Sequence, residues 1–427
     1  MGELRFSSPS RVGAAALVLV LAFAAVAGAT TYVLPPDARL VEQATVIAQA
    51  TVTAVEPAPI EGPPSTDYFV QIEQVLKGHV AGGTVVVRVP GGIGTDGIGL
   101  RIWGAPHFRE GERLLLFLEP RRDGTYGILH LMLGAFREVQ AGGHRVAARS
   151  LTDALEIGFN ATGGDLEGAE PERDWAGFLR WIEDLAGGAE RRPDYLLSST
   201  ALGAAVRASP AEPAGWLEES CTSLPLRWFE FDRGEEVRWQ LELGGFDNRG
   251  GGRRAFERAR RLWSRRSGWD LRLERGAATL STTGLDQFDG KNTVTFGDPN
   301  DVMSGAFQCD LGGVVAVTGL WFDNGRGQGC ERIGPARIEA FEGRRFLEIL
   351  GADIVANDGT SCLFDGDVST TTRALAHELG HSLGLAHQSA AGALMWGELD
   401  GAAPGAELSA ADLASLARLY GATRAEP

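Results

Sequence analysis

The chain runs to 427 residues, 44% of them apolar, with a formal charge of -16. Its length predicts two or three domains, and its apolar content is too high for a chain disordered throughout. Its acidity argues against a nucleic-acid partner, which needs a basic stripe to displace counterions.

Arg5 and Arg11 precede an apolar run from Gly13 to Ala29 that ends in Ala27-Gly28-Ala29. A basic start, an apolar middle and a small-x-small end describe a secretory signal peptide over residues 1–29. An uncleaved membrane anchor is the alternative, but the run is slightly short for a span and its Ala/Gly-rich end favours cleavage. No cysteine lies near the cleavage site for a lipid anchor, and no second stretch is apolar enough to cross a bilayer. The expected location is outside the cytoplasm, secreted or periplasmic, without stable membrane insertion after cleavage.

Residues 30–150 read as a small all-β, barrel-like domain. Short β-rich runs (ATVIAQATV, DYFVQIEQVL, TVVVRVP, RLLLFLEP and YGILHLML) alternate with Gly, Pro and Asp clusters, the pattern of a small barrel or sandwich. Residues 151–220 read as linker around one amphipathic helix at Asp174–Leu185, with Trp175, Phe178, Leu179 and Ile182 at helical spacing. The last domain is expected over residues 221–427. It opens with a strand at Leu226–Phe231 and a helix at Arg253–Ser267, whose Phe256, Ala259, Leu262 and Trp263 form one face. Strands are expected at Asn292–Phe296, Val314–Phe322 and Ala352–Ala356, followed by the helix that carries the chemistry. A closing helix at Ala410–Tyr420 has a capping-box start, with Ser409 three residues before Asp412.

Four cysteines, Cys221, Cys309, Cys330 and Cys362, in an oxidising compartment imply two disulfides. Cys309 and Cys330 flank a strand-turn-strand segment and form the local pair, leaving Cys221 with Cys362, although three pairings are open to the sequence. Cys221, just ahead of the last domain, has a second reading as a cover for a metal.

Residues 377–387 read His-Glu-Leu-Gly-His-Ser-Leu-Gly-Leu-Ala-His. On a helix, His377 and His381 at i and i+4 lie one above the other, so both imidazoles reach one metal ion. Glu378 stands beside the first ligand, placed to act as general base on a water at the metal. Gly384 permits a positive φ, so the helix stops and the chain turns, bringing His387 round as third ligand. Three protein ligands leave a fourth position open, the mark of a catalytic zinc. A lone His-Glu-x-x-His turns up by chance; the added glycine and third histidine at fixed offsets make the signal specific. The other four histidines, His79, His107, His130 and His144, all lie in the N-terminal region, leaving none in the last domain for a structural zinc.

With these residues the chain resembles the metzincin metalloproteases, closest to the matrixin branch, over about residues 225–421. Met395, eight residues beyond His387 in Gly392-Ala-Leu-Met-Trp396, matches the methionine turn of that group. Two residues after it stands Gly397, where astacin- and serralysin-like relatives place a tyrosine. The closing Leu408-Ser-Ala-Ala-Asp-Leu resembles the final matrixin helix, with Asp412 alone where the family pairs aspartates. Ala352–Val355 resembles the family's edge strand, along which substrate adds as a further strand. No Pro-Arg-Cys-Gly type switch is present. The resemblance implies an α+β fold: a twisted mixed sheet with an active-site helix and a C-terminal helix. The stretches Ala44–Val55, Tyr68–Gly78 and Gly111–Leu118 resemble the netrin-like, OB-type barrel of tissue inhibitors of metalloproteinases. Those inhibitors carry many disulfides and this segment has no cysteine, so the likeness implies a fold and not an inhibitory role.

Together these readings predict a secreted zinc endopeptidase acting on protein or peptide substrates, with one catalytic zinc. Calcium is a further candidate ion, since Asp358, Asp365 and Asp367 cluster ahead of the active-site helix. The loop from Trp396 to about Glu407 is expected to wall the pocket for the residue after the cut. The rival class is a secreted binding or adhesion protein whose N-terminal β-domain carries the function beside an accessory or inactive zinc domain. That β-domain itself reads either as a targeting module or as a restraint on the enzyme in cis.

Overall fold

A computed structural model describes residues 30–59, 63–151, 155–157, 172–197, 221–243, 251–266, 268–280, 283–364, 368–388, 392–396, 398–399 and 406–421. The segment read as a signal peptide lies outside the described residues. Thr30–Val33 forms a short strand, β1, followed by a helix, α1 (Asp37–Gln43). Next come β2 (Val46–Pro57), β3 (Ser65–Lys77), β4 (Thr84–Pro90), β5 (Gly99–Ile102), β6 (Arg113–Pro120) and β7 (Tyr126–Ile128). β8 (Ala135–Ala141) and β9 (His144–Ala148) form a hairpin laid against β6.

Five of these strands close on themselves in the order β6-β2-β3-β4-β7 and back to β6. All contacts in the ring are antiparallel except β4 with β7, which run parallel. The five fall in the β-rich runs bounded by Gly, Pro and Asp clusters, and closure removes the free edges of a small sheet. Alternation along β6 splits its side chains between two cores. Leu114, Leu116 and Leu118 point into the barrel, while Leu115 and Phe117 face outward against a helix.

That helix is α2 (Trp175–Ala186), following the short strand β10 (Leu155–Ile157). It is the helix read within the linker, and it packs on the outside of the barrel, with Trp175, Phe178, Trp181 and Ile182 buried against Phe117, Phe136 and Leu40. Asp174 caps it by accepting the Gly177 amide at 2.7 Å. Arg173 grips the Asp37 carboxylate through two nitrogens at 2.8 and 2.9 Å, tying α2 to α1. Burial would raise the Asp37 pKa, but Arg173 overrides it and holds the carboxyl below its usual range.

The C-terminal half supplies β11 (Val237–Leu241), α3 (Gly251–Arg266), β12 (Leu273–Arg275), β13 (Asn292–Phe296), β14 (Gly313–Phe322) and β15 (Arg344–Ala356). After them come α4 (Val368–Ser382), β16 (Glu398–Leu399) and α5 (Ala410–Tyr420). The strands order β12-β11-β13-β15-β14, all parallel except β14, which runs antiparallel to β15. β13, β14 and α5 fall where the residue patterns put them, and Phe256, Ala259, Leu262 and Trp263 of α3 are all buried. The strand expected at Leu226–Phe231 shrinks to Leu226–Arg227, pairing with Leu347 and Glu348, before the chain turns at Trp228.

Two expectations are corrected here. Ala352–Val355 is not at the edge: β15 lies between β13 and β14, and the antiparallel outer strand is β14. The disulfides join Cys221 to Cys330 and Cys309 to Cys362, not Cys309 to Cys330. Cys309 sits before β14, where Phe307 donates to the Asp358 carbonyl at 2.9 Å, which brings it beside Cys362. Cys221 is thereby spent on a disulfide and not on a metal.

The barrel and the sheet share one apolar core, in which Val46, Val70 and Leu116 of the barrel meet Val314, Val317, Trp321 and Val355 of the sheet. None of the helices among the described residues is long and apolar enough to cross a membrane. Phe178, fully buried where α2 meets Phe136 and Tyr195, is the side chain on which the helix-barrel contact turns. Phe178→Ala is expected to cost about 3–5 kcal/mol of unfolding free energy. A denaturant titration showing a loss well below that would mean α2 docks loosely.

Candidate active site

α4 delivers His377, Glu378 and His381 from one helix, and the way the helix ends delivers His387. Gly384 has φ +85°. Its amide donates to the His381 carbonyl at 2.8 Å, and the Leu385 amide donates to the Gly380 carbonyl at 3.2 Å. This is the paired hydrogen-bond pattern of a glycine-terminated helix. A Cβ at Gly384 would also stand 2.3 Å from the Leu226 carbonyl oxygen, so two constraints demand glycine here. Aromatic residues from other elements fasten the helix: Trp263 Nε1 donates to the Ala376 carbonyl and Trp228 Nε1 to the Ser382 carbonyl, both at 2.7 Å. Tyr420 Oη donates to the Leu383 carbonyl at 2.8 Å.

The three imidazoles converge, with ring centroids 4.4, 4.6 and 5.0 Å apart. His377 Nδ1 lies 2.8 Å from the Leu394 carbonyl and His381 Nδ1 2.8 Å from the Leu385 carbonyl. A carbonyl oxygen only accepts, so both Nδ1 atoms carry the proton and both Nε2 atoms turn a lone pair inward. The 2.8 Å approach of His377 Nε2 to His381 Nε2 sets lone pair against lone pair, which a cation between them relieves. His387 Nε2 joins the same point, 2.7 Å from His377 Nε2. Burial holds His377 down at about 3 and drives His381 and His387 well below the ordinary histidine value, so all three are neutral, the form that binds metal. Among the described residues, these three are the group of His, Cys, Asp or Glu that could hold a metal ion.

Met395 is fully buried beneath the site, and a Cβ on Gly380 would meet its Sδ at 2.3 Å. The turn bearing it is held from α5. Asp412 accepts the Leu394 and Met395 amides at 2.9 Å each and also caps its own helix through the Ser409 amide at 2.7 Å. The Leu394 carbonyl then orients His377. The solitary aspartate of the last helix is thus committed, through one peptide unit, to the His377 imidazole.

Glu378 is fully buried. Thr31 Oγ1 donates to its Oε1 at 2.6 Å, and Thr318 Oγ1 donates to its Oε2 at 2.5 Å. Burial raises its carboxyl to about 8 against the lowering effect of these hydrogen bonds.

Residues 253–421 match the family model of the matrixins. Residues 253–421 are a matrixin-like metzincin domain. No curated protein matches the chain. The matrixin family implies zinc, and the donor set fits it: three neutral imidazole nitrogens brought close together, a ligand type that zinc takes. The matrixin-like domain keeps every residue of the motif, His377, Glu378, His381, Gly384, His387 and Met395, in one place. Of the aspartates considered for calcium, Asp358 accepts the Asp298 amide at 3.1 Å, and Asp365 and Asp367 lie outside the described residues. Gly397 and most of the loop expected to wall the pocket also lie outside them. Thr31, Thr318, Trp228 and Trp263 touch the site without any local signal in the sequence, because each arrives from a distant element. Gly384→Ala is expected to cost at least about 1–3 kcal/mol from the positive φ alone. Thermal unfolding and zinc stoichiometry check it, and an unchanged melting temperature would sink the account of the turn.

Proposed function

We propose that the chain is an exported zinc endopeptidase in which His377, His381 and His387 hold the metal and Glu378 is the general base. The observation that carries this reading is the convergence of Nε2 lone pairs, locked by backbone carbonyls, beside a carboxylate in a matrixin-like domain. When bound there, zinc supplies Lewis acidity, which polarises a peptide carbonyl and makes water a stronger acid.

This chain's own residues do the rest. An extended peptide takes its direction from a strand edge, because main-chain hydrogen bonds fix register and present one carbonyl to the site. Glu378 accepts a proton from the attacking water at a carboxylate oxygen as the water's own oxygen bonds to the scissile carbon. It returns the proton to the amine nitrogen as the C–N bond breaks. Thr318 holds one carboxylate oxygen and so sets the direction of the other. Export is supported by the N-terminal sequence and by two disulfides, which persist in oxidising compartments.

Glu378→Ala is expected to bind zinc one-to-one like the parent, since no ligand is lost. Its chelator-sensitive hydrolysis of a peptide library should fall by about 10²–10⁴-fold. Hydrolysis close to the parent's would refute the assigned base, and a folded parent that takes up no zinc would refute the metal site.

A further inference from the structure

We propose that Thr30–Val33 is a built-in occupant of the peptide cleft, lying as an added strand on the edge that substrate would use and holding the enzyme closed until it is displaced. The proposal rests on the metallopeptidase reading above and concerns the regulation of the same site.

β14 is the outer strand of the matrixin-like sheet, and its outer edge runs past Glu378 through Thr318. β1 pairs antiparallel with that edge, Thr30 opposite Val317, Thr31 opposite Ala316, Tyr32 opposite Val314 and Val33 opposite Gly313. β5, from the N-terminal half, takes the remainder from Gly319 to Phe322, and the Trp103 amide donates to the Thr318 carbonyl between them at 3.3 Å. The edge from 313 to 322 is therefore filled along its length, and a peptide adds to it only by removing one of these strands. On its other side β1 runs parallel to β10, and β10 parallel to β16, which lies just beyond Met395. One ladder thus spans from the sheet edge to the segment after the methionine turn.

The chemistry is closed as well as the groove. Thr31 donates to Oε1 of Glu378 while Thr318 donates to Oε2, so both carboxylate oxygens are engaged from within the chain. His377, His381 and Glu378 have no exposed surface and His387 only 4%, whereas hydrolysis requires water and a peptide to enter. The strand is anchored by the N-terminal half. The Thr30 hydroxyl donates to the Trp103 carbonyl, and Tyr32 is buried with Leu100 and Ile102 in the core shared by barrel and sheet. The same unit that covers one end of the edge through β5 thereby holds the plug at the other.

Thr31→Pro in the full chain tests this. β1 is paired on both sides, so proline at its second residue cannot stay in the ladder, and it brings no new metal ligand. Zinc-loaded parent and variant are compared by hydrogen exchange over residues 313–318 and by hydrolysis of a mixed-sequence peptide library. Exchange and hydrolysis should both rise by at least about tenfold, because each follows the open fraction. The Thr31→Pro/Glu378→Ala double variant should stay silent toward peptide. If Thr31→Pro does not fold, a recognition sequence for an unrelated specific protease replaces Leu34–Pro36, and the folded protein is cut there and read the same way. Equal hydrolysis by the parent and the opened protein overturns the closure, as does unchanged protection of 313–318. Faster exchange with no hydrolysis from either form instead overturns the peptidase reading.

Discussion

A strand at the rim of a sheet leaves a row of backbone donors and acceptors that must find partners, in the protein or outside it. β14 is such a strand, and the arrangement of both halves of this chain follows from how its outer edge is satisfied. Its partners are β1 and β5, both from the N-terminal half. Pairing along the edge brings the barrel against the sheet, and the apolar side chains of the two then form one continuous core. The barrel is therefore not a bead on a linker, because its docking surface is the strand that borders the candidate cleft. Function and domain arrangement draw on the same hydrogen-bonding groups.

The histidine cluster depends on a second constraint of the same kind. Imidazoles buried beyond the reach of water stay neutral, and backbone carbonyls decide which nitrogen keeps the proton. The carbonyl of Leu394 is itself positioned by amides that Asp412 holds from the last helix. A carboxylate in α5 thus reaches His377 through a single turn of chain, so the closing helix bears on the orientation of that imidazole.

Much of this was legible in the residues. The five barrel strands show alternating or continuous apolar runs bounded by turn residues. α3 shows its buried face at helical spacing, and Ser409 with Asp412 announces the start of α5. Nearness in sequence points to a Cys309–Cys330 pair, but the bonded partners lie 109 and 53 residues apart, joined by loops that the fold brings together. Ala352–Val355 resembles an edge strand, yet β15 is as apolar as an interior strand should be, and both of its neighbours cover it. α2 sat among Gly-, Ala- and Pro-rich stretches and looked isolated, although its tryptophans and Phe178 required a surface to cover, which the barrel provides.

The residues by themselves determined the histidine cluster, because its parts are local: two histidines one helical turn apart, a glutamate beside the first, and a glycine that lets the chain bend back with the third. They also determined the barrel strands, whose period is written in consecutive side chains. Only the tertiary structure decided what lies over the site. Thr31 and Glu378 are 347 residues apart, and no spacing rule links them. Their contact exists because a four-residue strand pairs with the outer edge of β14, in a sheet whose own strand order comes from long-range pairing.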